Sequence, residues 1–333
     1  MAIVLDAMGS DDHPIPEIEA AITFAKETGE KLYLVGNKEV IFRHAAESDF
    51  AGLPIEIVHA EDVLEMGEKA VKSAKEKPNN SMAVGLSLVK EGKADAFVTA
   101  GNTGAAMFTS LRKLGRIRNV ARPALTTLFP TIDGQCIVLD IGANSDCRPE
   151  FLQQFAIMGS IYAEQMCGIE NPKVGLLNNG EEKGKGNELA RNTYPLLETC
   201  GIHFIGNVEA KEVLAHKADV VVTDGFTGNV LLKSTEAAAK MITDMLKESM
   251  MASARTKIGA LLAKPAFKSL KSKIDPNAYG AAPLLGIDGL SFVGHGRSNA
   301  KALISALTLA KSAVDNDLLN KIRDAIASQL ENA

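Results

Sequence analysis

The chain has no tryptophan and only four cysteines, and this scarcity narrows the function classes at once. Cys136, Cys147, Cys167 and Cys200 are widely spaced and form no C-x-x-C pair. We therefore expect reduced, structural thiols and no metal site.

Long apolar runs and an excess of basic charge are also missing. No stretch reaches the ~18 apolar residues of a transmembrane helix, and the first residues, MAIVLDAMGS, enter a strand-like run without the regions of a signal peptide. The formal net charge is −5, whereas a general nucleic-acid binder needs an excess of lysine and arginine. We expect a cytoplasmic protein that binds no nucleic acid.

Several common catalytic motifs are absent as well. Residues 180–185 are one residue short of a P-loop, and Gly186 stands where a serine or threonine would bind magnesium. No G-x-G-x-x-G follows the first strand-like run, and no G-x-S-x-G occurs. These absences argue against a P-loop NTPase, a Rossmann dehydrogenase and a serine hydrolase.

Three kinds of segment instead repeat along the chain in the same order: a short run of β-branched apolar residues, a Gly-rich turn, and a segment with helical periodicity. The runs are residues 3–5, 32–35, 55–58, 96–98, 137–141, 174–177 and 220–222, and the helical segments are residues 16–28, 81–91, 104–114, 149–168, 187–200, 229–250 and 298–315. This order predicts an α/β fold with a largely parallel sheet and helices on both faces. Because no composition shift marks a linker, we expect one unit of 333 residues, and its division into two lobes stays open.

Two strand-to-helix turns share the pattern T-x-G-x-T-G, at residues 99–104 and 223–228. Glycine lets the backbone approach a ligand closely, and the N–H groups at a helix start bind anions such as phosphate. Further turns rich in Gly, Asn and Ser lie at residues 142–145, 178–187 and 294–298. Together they predict a polar cleft, rich in hydrogen-bond donors, at the strand ends.

Residues 249–274 carry basic side chains and no acidic one, inside a chain that is acidic overall. Ile258, Leu261 and Leu262 share one helical face, Phe267, Leu270 and Ile274 share another, and Pro265 lies between them. We therefore predict an inserted basic hairpin at residues 249–275, made of two short amphipathic helices joined at the proline. Such an element docks on an anionic bilayer or an acidic protein, and the alternative is a solvated face over a dimer or domain contact.

The turns belong to a series of short segments in a fixed order: DAMG at 6–9, AGNTGA at 100–105, RPA at 122–124, DIGAN at 140–144, FAIMG at 155–159, GLLN at 175–178, KGNEL at 185–189, FIGNVEA at 204–210, DVVVTDGFTGNV at 219–230, YG at 279–280 and HG at 295–296. In residues and in order, these segments resemble the characteristic segments of the phosphate acyltransferase (PlsX) family. The first turn departs from the family's usual MGGDHAP, because Ser10 and Asp12 replace a glycine and a histidine.

The resemblance implies a fold similar to isocitrate dehydrogenases and phosphate acetyltransferases, with two lobes around a cleft, in a homodimer without a cofactor. It implies a reaction in which long-chain acyl-[acyl carrier protein] and inorganic phosphate give acyl phosphate and free carrier protein. The product would feed the membrane glycerol-3-phosphate acyltransferase of phospholipid synthesis, so peripheral attachment to an anionic membrane surface is expected.

Phosphate is itself the nucleophile in that reaction, so the enzyme must supply positioning, oxyanion stabilisation and positive charge. The candidate catalytic residues are Lys185, Asn229, Asp224 and His295. The candidate phosphate and substrate ligands are Gly101, Asn102, Thr103, Gly104, Asn144, Asn178, Gly225, Thr227 and Gly228. The candidate membrane or carrier-protein contacts are Arg255, Lys257, Leu261, Leu262, Lys264, Lys268 and Lys271.

Three other functions remain in competition. A phosphate acetyltransferase acting on acetyl-CoA would share the fold and the phosphate site. A decarboxylating NAD-dependent dehydrogenase would need an aspartate cluster for a metal, which the motifs do not show. A non-catalytic membrane-recruited scaffold is the alternative outside enzymes.

Overall fold

The computed structural model describes residues 1–273 and 280–331, with side chains except at 268–273 and 329–331. The strands are β1 (Ala2–Asp6), β2 (Lys31–Gly36), β3 (Ile55–His59), β4 (Ala96–Thr99), β5 (Ala124–Thr131), β6 (Gly134–Leu139), β7 (Val174–Leu177), β8 (Phe204–Val208), β9 (Val220–Val222), β10 (Ala281–Leu285) and β11 (Leu290–Gly294). The helices are α1 (Ile15–Thr28), α2 (Lys38–His44), α3 (Ala70–Glu76), α4 (Ser81–Lys90), α5 (Thr103–Lys113), α6 (Pro149–Cys167), α7 (Glu188–Thr199), α8 (Ala210–Leu214), α9 (Gly225–Met251), α10 (Ala254–Lys273), α11 (Ala300–Asp315) and α12 (Leu318–Glu331), with a 3₁₀ turn at Glu47–Phe50.

The strands of the described residues form one 11-stranded sheet in the order β3-β2-β1-β4-β11-β10-β5-β6-β9-β7-β8. Pairing is parallel within the half that ends at β11 and within the half that begins at β6. Between the halves, β11–β10, β10–β5 and β5–β6 are antiparallel. Three successive reversals leave the two parallel halves running in opposite directions.

The core lies on both faces of this sheet, as the apolar strands require. In β1, Ile3 and Leu5 belong to a buried cluster that includes residues of α1, α6, α11 and α12, whereas Val4 belongs to the opposite cluster with residues of α4 and α5. The alternation follows from the period of two in a strand. The predicted α/β fold is confirmed, and the division into lobes stays a prediction.

All seven predicted strands are present, but β5, β8, β10 and β11 escaped the sequence pattern. Pro130 lies in β5 and Pro283 in β10, and a proline argues against a central strand because it has no N–H to donate. In the folded chain Pro283 nevertheless pairs with Phe292 of β11. Tertiary pairing therefore overrides the local signal.

The predicted junction at Pro265 is wrong, because α10 runs through this proline. The break lies between α9 and α10, which pack against each other. Ser253 explains its position: its Oγ accepts the Thr256 N–H at 3.1 Å, and its own N–H donates to Thr256 Oγ1 at 3.1 Å. This reciprocal cap satisfies groups that a helix start would leave unpaired.

The candidate contacts Arg255, Lys257, Leu261, Leu262 and Lys264 lie on α10 and are exposed. The side chains of Lys268 and Lys271 lie outside the described residues, as do Ile274 and Tyr279. Within residues 1–273 and 280–331, no helix combines the length and apolar character needed to cross a bilayer.

Candidate active site

The structure divides the predicted turns into two groups. The turns after β1, β4 and β11 form one set, the β4 group (residues 6–13, 99–105 and 294–298). The turns after β6, β7 and β9 form the other, the β9 group (residues 140–148, 178–187 and 223–229). Because the two halves run in opposite directions, the two groups follow strands that point in opposite directions within the sheet. The sequence pattern did not show this division, which comes from the antiparallel centre.

A buried carboxylate organises the β4 group. Thr99 Oγ1 donates to Asp6 Oδ2 at 2.7 Å, and the Gly101 N–H donates to Thr99 Oγ1 at 3.0 Å. Gly9 lies against this turn so closely that an added Cβ would be 2.8 Å from the backbone nitrogens of Ala100 and Gly101. Only glycine at position 9 permits this approach.

The start of α5 offers unused donors in the β4 group. Asn102 caps the helix, since its Oδ1 accepts the Ala105 N–H at 3.0 Å, and its Nδ2 donates to the Met66 carbonyl at 2.9 Å. The N–H groups of Thr103 and Gly104 have no acceptor among the described residues. Two such groups at a helix N-terminus suit an anion.

His295 belongs to the same group and is exposed. Its Nδ1 accepts the Arg297 N–H at 3.2 Å, which leaves Nε2 free of any described partner. The neighbouring Gly296 carbonyl accepts the Asp11 N–H at 2.7 Å. The first turn of the chain therefore holds the histidine loop in place.

The buried side chain of Glu17 holds that first turn through a hydrogen bond, and the sequence did not predict this role. Its side chain is 0% exposed, and Oε1 accepts the Ser10 N–H at 2.9 Å. Burial raises the pKa of Glu17 to about 7, against the opposing effect of the Ser10 hydrogen bonds, and burial also raises the pKa of Asp6. In the sequence, Glu17 has the pattern of an ordinary acidic residue at a helix start.

A second buried carboxylate, that of Asp140, organises the β9 group. It accepts hydrogen bonds of 2.7 to 3.1 Å from the N–H groups of Leu125, Gly142, Ala143 and Asn144 and from the Asn144 side chain. Burial raises the pKa of Asp140, and these hydrogen bonds oppose that rise. One side chain thus ties the start of β5 to the loop after β6.

Gly225 and Gly228 pack directly against this carboxylate loop. An added Cβ on Gly225 would be 2.8 Å from Asp140 Oδ2, and one on Gly228 would overlap the Asp140 carbonyl oxygen. The Gly225 N–H donates to the Asn144 carbonyl at 2.7 Å. The start of α9 is therefore locked to the loop after β6.

The predicted backbone donors at the start of α9 are already occupied. Asp224 caps the helix, because its two oxygens accept the Thr227 N–H at 2.8 Å and the Thr227 hydroxyl at 2.7 Å. The Gly228 N–H donates to the Asp224 carbonyl at 2.9 Å. The observed contacts of Asp224, Gly225, Thr227 and Gly228 shape the turn, and the ligand roles predicted for them remain predictions.

Three of the four candidate asparagines belong to the β9 group, and they differ in whether their side-chain amides are already engaged. Asn144 uses its amide on the Pro123 carbonyl at 2.7 Å and on Asp140, and Asn178 donates to the Lys185 carbonyl at 3.1 Å. Asn229 Nδ2 lies beside Gly142, 3.2 Å from the position of an added Cβ, and the Asn229 side chain has no described hydrogen bond. Asn229 is thus the candidate asparagine with a free amide.

Lys185 brings a free cation to this group. Its side chain is exposed, and its ammonium has no ion pair or hydrogen bond among the described residues. Lys183, two positions earlier, instead pairs with Glu198 at 2.5 Å and lies 5.1 Å from the Tyr194 ring centroid. Within the part of the chain that the structure describes, no set of three His, Cys, Asp or Glu is arranged to hold a metal.

The buried Glu17 leads to a prediction about pH and stability. The folded chain holds a proton on Glu17 between its ordinary pKa of 4.5 and about 7, whereas the unfolded chain releases it, so stability falls as pH rises through this window. Glu17→Gln keeps an acceptor for Ser10 and abolishes the titration. Relative to this variant, we expect the wild-type free energy of unfolding to fall by about 3 kcal/mol from pH 4.5 to pH 7.

Urea unfolding at a series of pH values measures this difference, and Glu19→Gln, an exposed site on the same helix, is the matched control. A constant difference between wild type and Glu17→Gln at every pH would show that Glu17 ionises normally.

Comparison with known proteins places this chain in a family. A family model described as "Fatty acid synthesis protein" matches residues 1–321. A phosphate acyltransferase of Elusimicrobium minutum is 46% identical over 334 residues, covering 99% of this chain and 97% of that protein. Another, of Dictyoglomus turgidum, is 45% identical over 328 residues, covering 98% of each.

Solved structures agree at the level of the fold. The EutD phosphotransacetylase from Staphylococcus aureus superposes with a TM-score of 0.58 at 17% identity, covering 94% of each chain. A branched-chain phosphotransacylase from Enterococcus faecalis gives 0.55 at 14% identity, covering 94% of this chain and 100% of that one. With the near full-length similarity above, the motif-based prediction is confirmed: the chain belongs to the fatty acid synthesis protein family, the phosphate acyltransferases.

Proposed function

We propose that this protein transfers a long-chain acyl group from acyl carrier protein to inorganic phosphate. The names of its relatives support the reaction class. The observation that carries the proposal structurally is a free ammonium, Lys185, and a free amide, Asn229, in the turns that follow the neighbouring strands β7 and β9. Asn178 holds the first turn through the Lys185 carbonyl, and the Asp140 loop holds the second. The acyl phosphate would serve the membrane glycerol-3-phosphate acyltransferase.

The chemistry needs no nucleophile from the protein. An oxygen of hydrogen phosphate attacks the thioester carbonyl carbon, the C–S bond breaks, and the leaving pantetheine thiolate takes up the proton that the phosphate loses. The protein must bring two reactants together, stabilise the tetrahedral oxyanion and offset the charge of phosphate. Free N–H groups, a neutral amide and an ammonium meet these three needs.

A single cleft is consistent with the sheet geometry, although the two groups follow strands of opposite direction. From β4 to β9 the sheet crosses five strand-to-strand steps. At about 20–25° of twist a step, the rotation accumulates to about 100–125° and offsets much of the 180° reversal in strand direction. The carboxyl ends of both halves then turn toward a common side.

On this basis the two groups form facing walls of the cleft. The N–H groups of Thr103 and Gly104 are donors for an anion on one wall, where the exposed imidazole of His295 also lies. Asn229 is a donor for the oxyanion on the other wall, and Lys185 supplies the positive charge.

We also propose that the protein is a homodimer whose interface includes α9. Within this helix of 27 residues, only Gly225 and Gly228 are buried. Phe226, Val230, Met241 and Met245 are exposed and follow helical spacing along one face. A stripe of this length on a long exposed helix indicates a protein interface, and a second copy offers the same stripe.

Peripheral membrane attachment through α10 is the remaining part of the proposal. Leu261 and Leu262 are 70% and 77% exposed, and Ile258 lies beside them on the exposed face. Arg255, Lys257 and Lys264 are exposed on the same helix and have no described carboxylate partner. Apolar tips flanked by cations match the requirements of an anionic bilayer surface.

Turnover of a carrier-protein thioester tests the proposed reaction. We expect phosphate-dependent release of free carrier protein from palmitoyl-[acyl carrier protein], and a loss of about 100-fold in kcat/KM in Lys185→Ala because a charge at the reacting phosphate is removed. Lys183→Ala, whose ammonium is already engaged, should stay near wild type. Turnover with acetyl-CoA alone would identify a phosphate acetyltransferase, and no turnover with any donor would favour the scaffold.

The mass of the protein in solution tests the proposed dimer. Wild type should elute at twice the chain mass in size-exclusion chromatography with light scattering, and Met241→Asp should shift it toward the monomer because a charge would be buried in the interface. Thr243→Asp places the same charge on another face of α9 and should leave the dimer intact. Equal behaviour of the two variants would remove α9 from the interface.

Flotation with lipid vesicles tests the proposed membrane attachment. The double variant Leu261→Asp/Leu262→Asp should lose co-flotation with phosphatidylglycerol vesicles while keeping turnover of the soluble donor. Ile132→Asp, at an exposed apolar residue elsewhere, should still float. Retention of the double variant on the vesicles would refute anchoring by α10.

A further inference from the structure

A second basic surface lies far from α10 in the sequence. Between Asp95 and Asp133 the chain contains no acidic residue, although its net charge is −5. This interval holds Arg112, Lys113, Arg116, Arg118 and Arg122, here called the 112–122 belt. Arg122 belongs to the RPA segment at residues 122–124, but the sequence assigned no site or docking role to any residue of the belt.

The belt runs from the end of α5 through the connection to β5. Its four arginines are exposed, and no belt residue has a carboxylate within 4.0 Å among the described residues. Lys113 donates to Ser87 Oγ at 2.9 Å, and Arg116 donates to the Ala121 carbonyl. The positive charge of the belt therefore has no direct ion-pair partner within the described chain.

Neighbouring carboxylates are already paired with other cations. Asp288, whose N–H donates to the Gly115 carbonyl at 3.1 Å, pairs with Arg323 at 2.7 Å. Glu91 pairs with Lys93 at 2.8 Å. That ion pair is the main cause that lowers the pKa of Glu91, and the charge of Lys113 lowers it further. This arrangement leaves the belt available to an acidic partner.

One end of the belt adjoins the β9 group. Arg122 precedes Pro123, whose carbonyl accepts the Asn144 amide at 2.7 Å, and the Leu125 N–H donates to Asp140 at 3.1 Å. A partner seated on the belt is thus placed beside the site at which we propose the oxyanion forms.

We infer that the 112–122 belt is the docking surface for an acidic carrier protein, whose thioester arm enters the β9 group past Arg122. The inference rests on the proposed function and deepens it, because it separates the carrier-protein surface from the membrane surface on α10. Complementary charge of this kind raises the rate of encounter and fixes orientation. A free thioester such as palmitoyl-CoA lacks the acidic protein surface and does not need the belt.

The test is charge reversal at the two belt residues farther from the site. In Arg112→Glu/Arg118→Glu the KM for palmitoyl-[acyl carrier protein] should rise about tenfold, while kcat and the KM values for palmitoyl-CoA and phosphate stay within twofold. Lys257→Glu on α10 is the control and should leave the carrier-protein KM unchanged. The difference in carrier-protein KM between wild type and the belt variant should shrink at 0.5 M salt, because salt screens interactions between exposed charges.

A binding measurement keeps this result separate from the proposed function. Fluorescence anisotropy of labelled carrier protein should show binding to wild type, about tenfold weaker binding to the belt variant, and recovery with a carrier protein in which acidic surface residues are changed to lysine. The inference would be overturned if wild type did not bind the carrier protein, or if wild type and the belt variant bound it equally. It would also be overturned if the belt variant lost flotation with vesicles but still bound the carrier protein. Failure of turnover with intact belt-dependent binding would count against the proposed function alone.

Discussion

The buried carboxylate of Asp140 is the interaction on which the β9 group depends. It collects donors from the start of β5, from the loop after β6 and from the Asn144 side chain, and Asn144 in turn holds Pro123 and the start of α9. A buried polar group is costly unless its hydrogen bonds are complete, so this network has a single favourable arrangement. The same network holds the backbone beside Asn229 and Arg122.

The two groups of turns share this logic. In each, a buried aspartate at a strand end accepts from the turn, and nearby glycines bring backbone within contact distance of it. Polar groups that the carboxylate network engages are not available to a ligand. The groups left over, the N–H groups at the start of α5, the Asn229 amide and the Lys185 ammonium, are those with chemistry to offer.

Much of the fold could be predicted from the sequence, because a parallel strand that is buried on both faces has a short run of apolar residues, as in β1 and β9. β10 was missed, because Pro283 masks a strand that only its neighbours stabilise. Residue types named the asparagine candidates but could not separate them, since Asn144, Asn178 and Asn229 differ only in their partners in space. Glu17 was missed because burial is not visible in a lone acidic residue.

The antiparallel centre of the sheet also has a consequence for biosynthesis. The strands from β5 to β9 are contiguous in the chain and are neighbours in the sheet, whereas β1 to β4 are joined to them only through β11 and β10, which come near the end of the chain. During synthesis on a ribosome, the strands from β5 to β9 are all made before β10 and β11, which the strands β1 to β4 need to complete their part of the sheet. The edge of β4 stays unpaired until Leu290–Gly294 emerges, so the part made first is closed last.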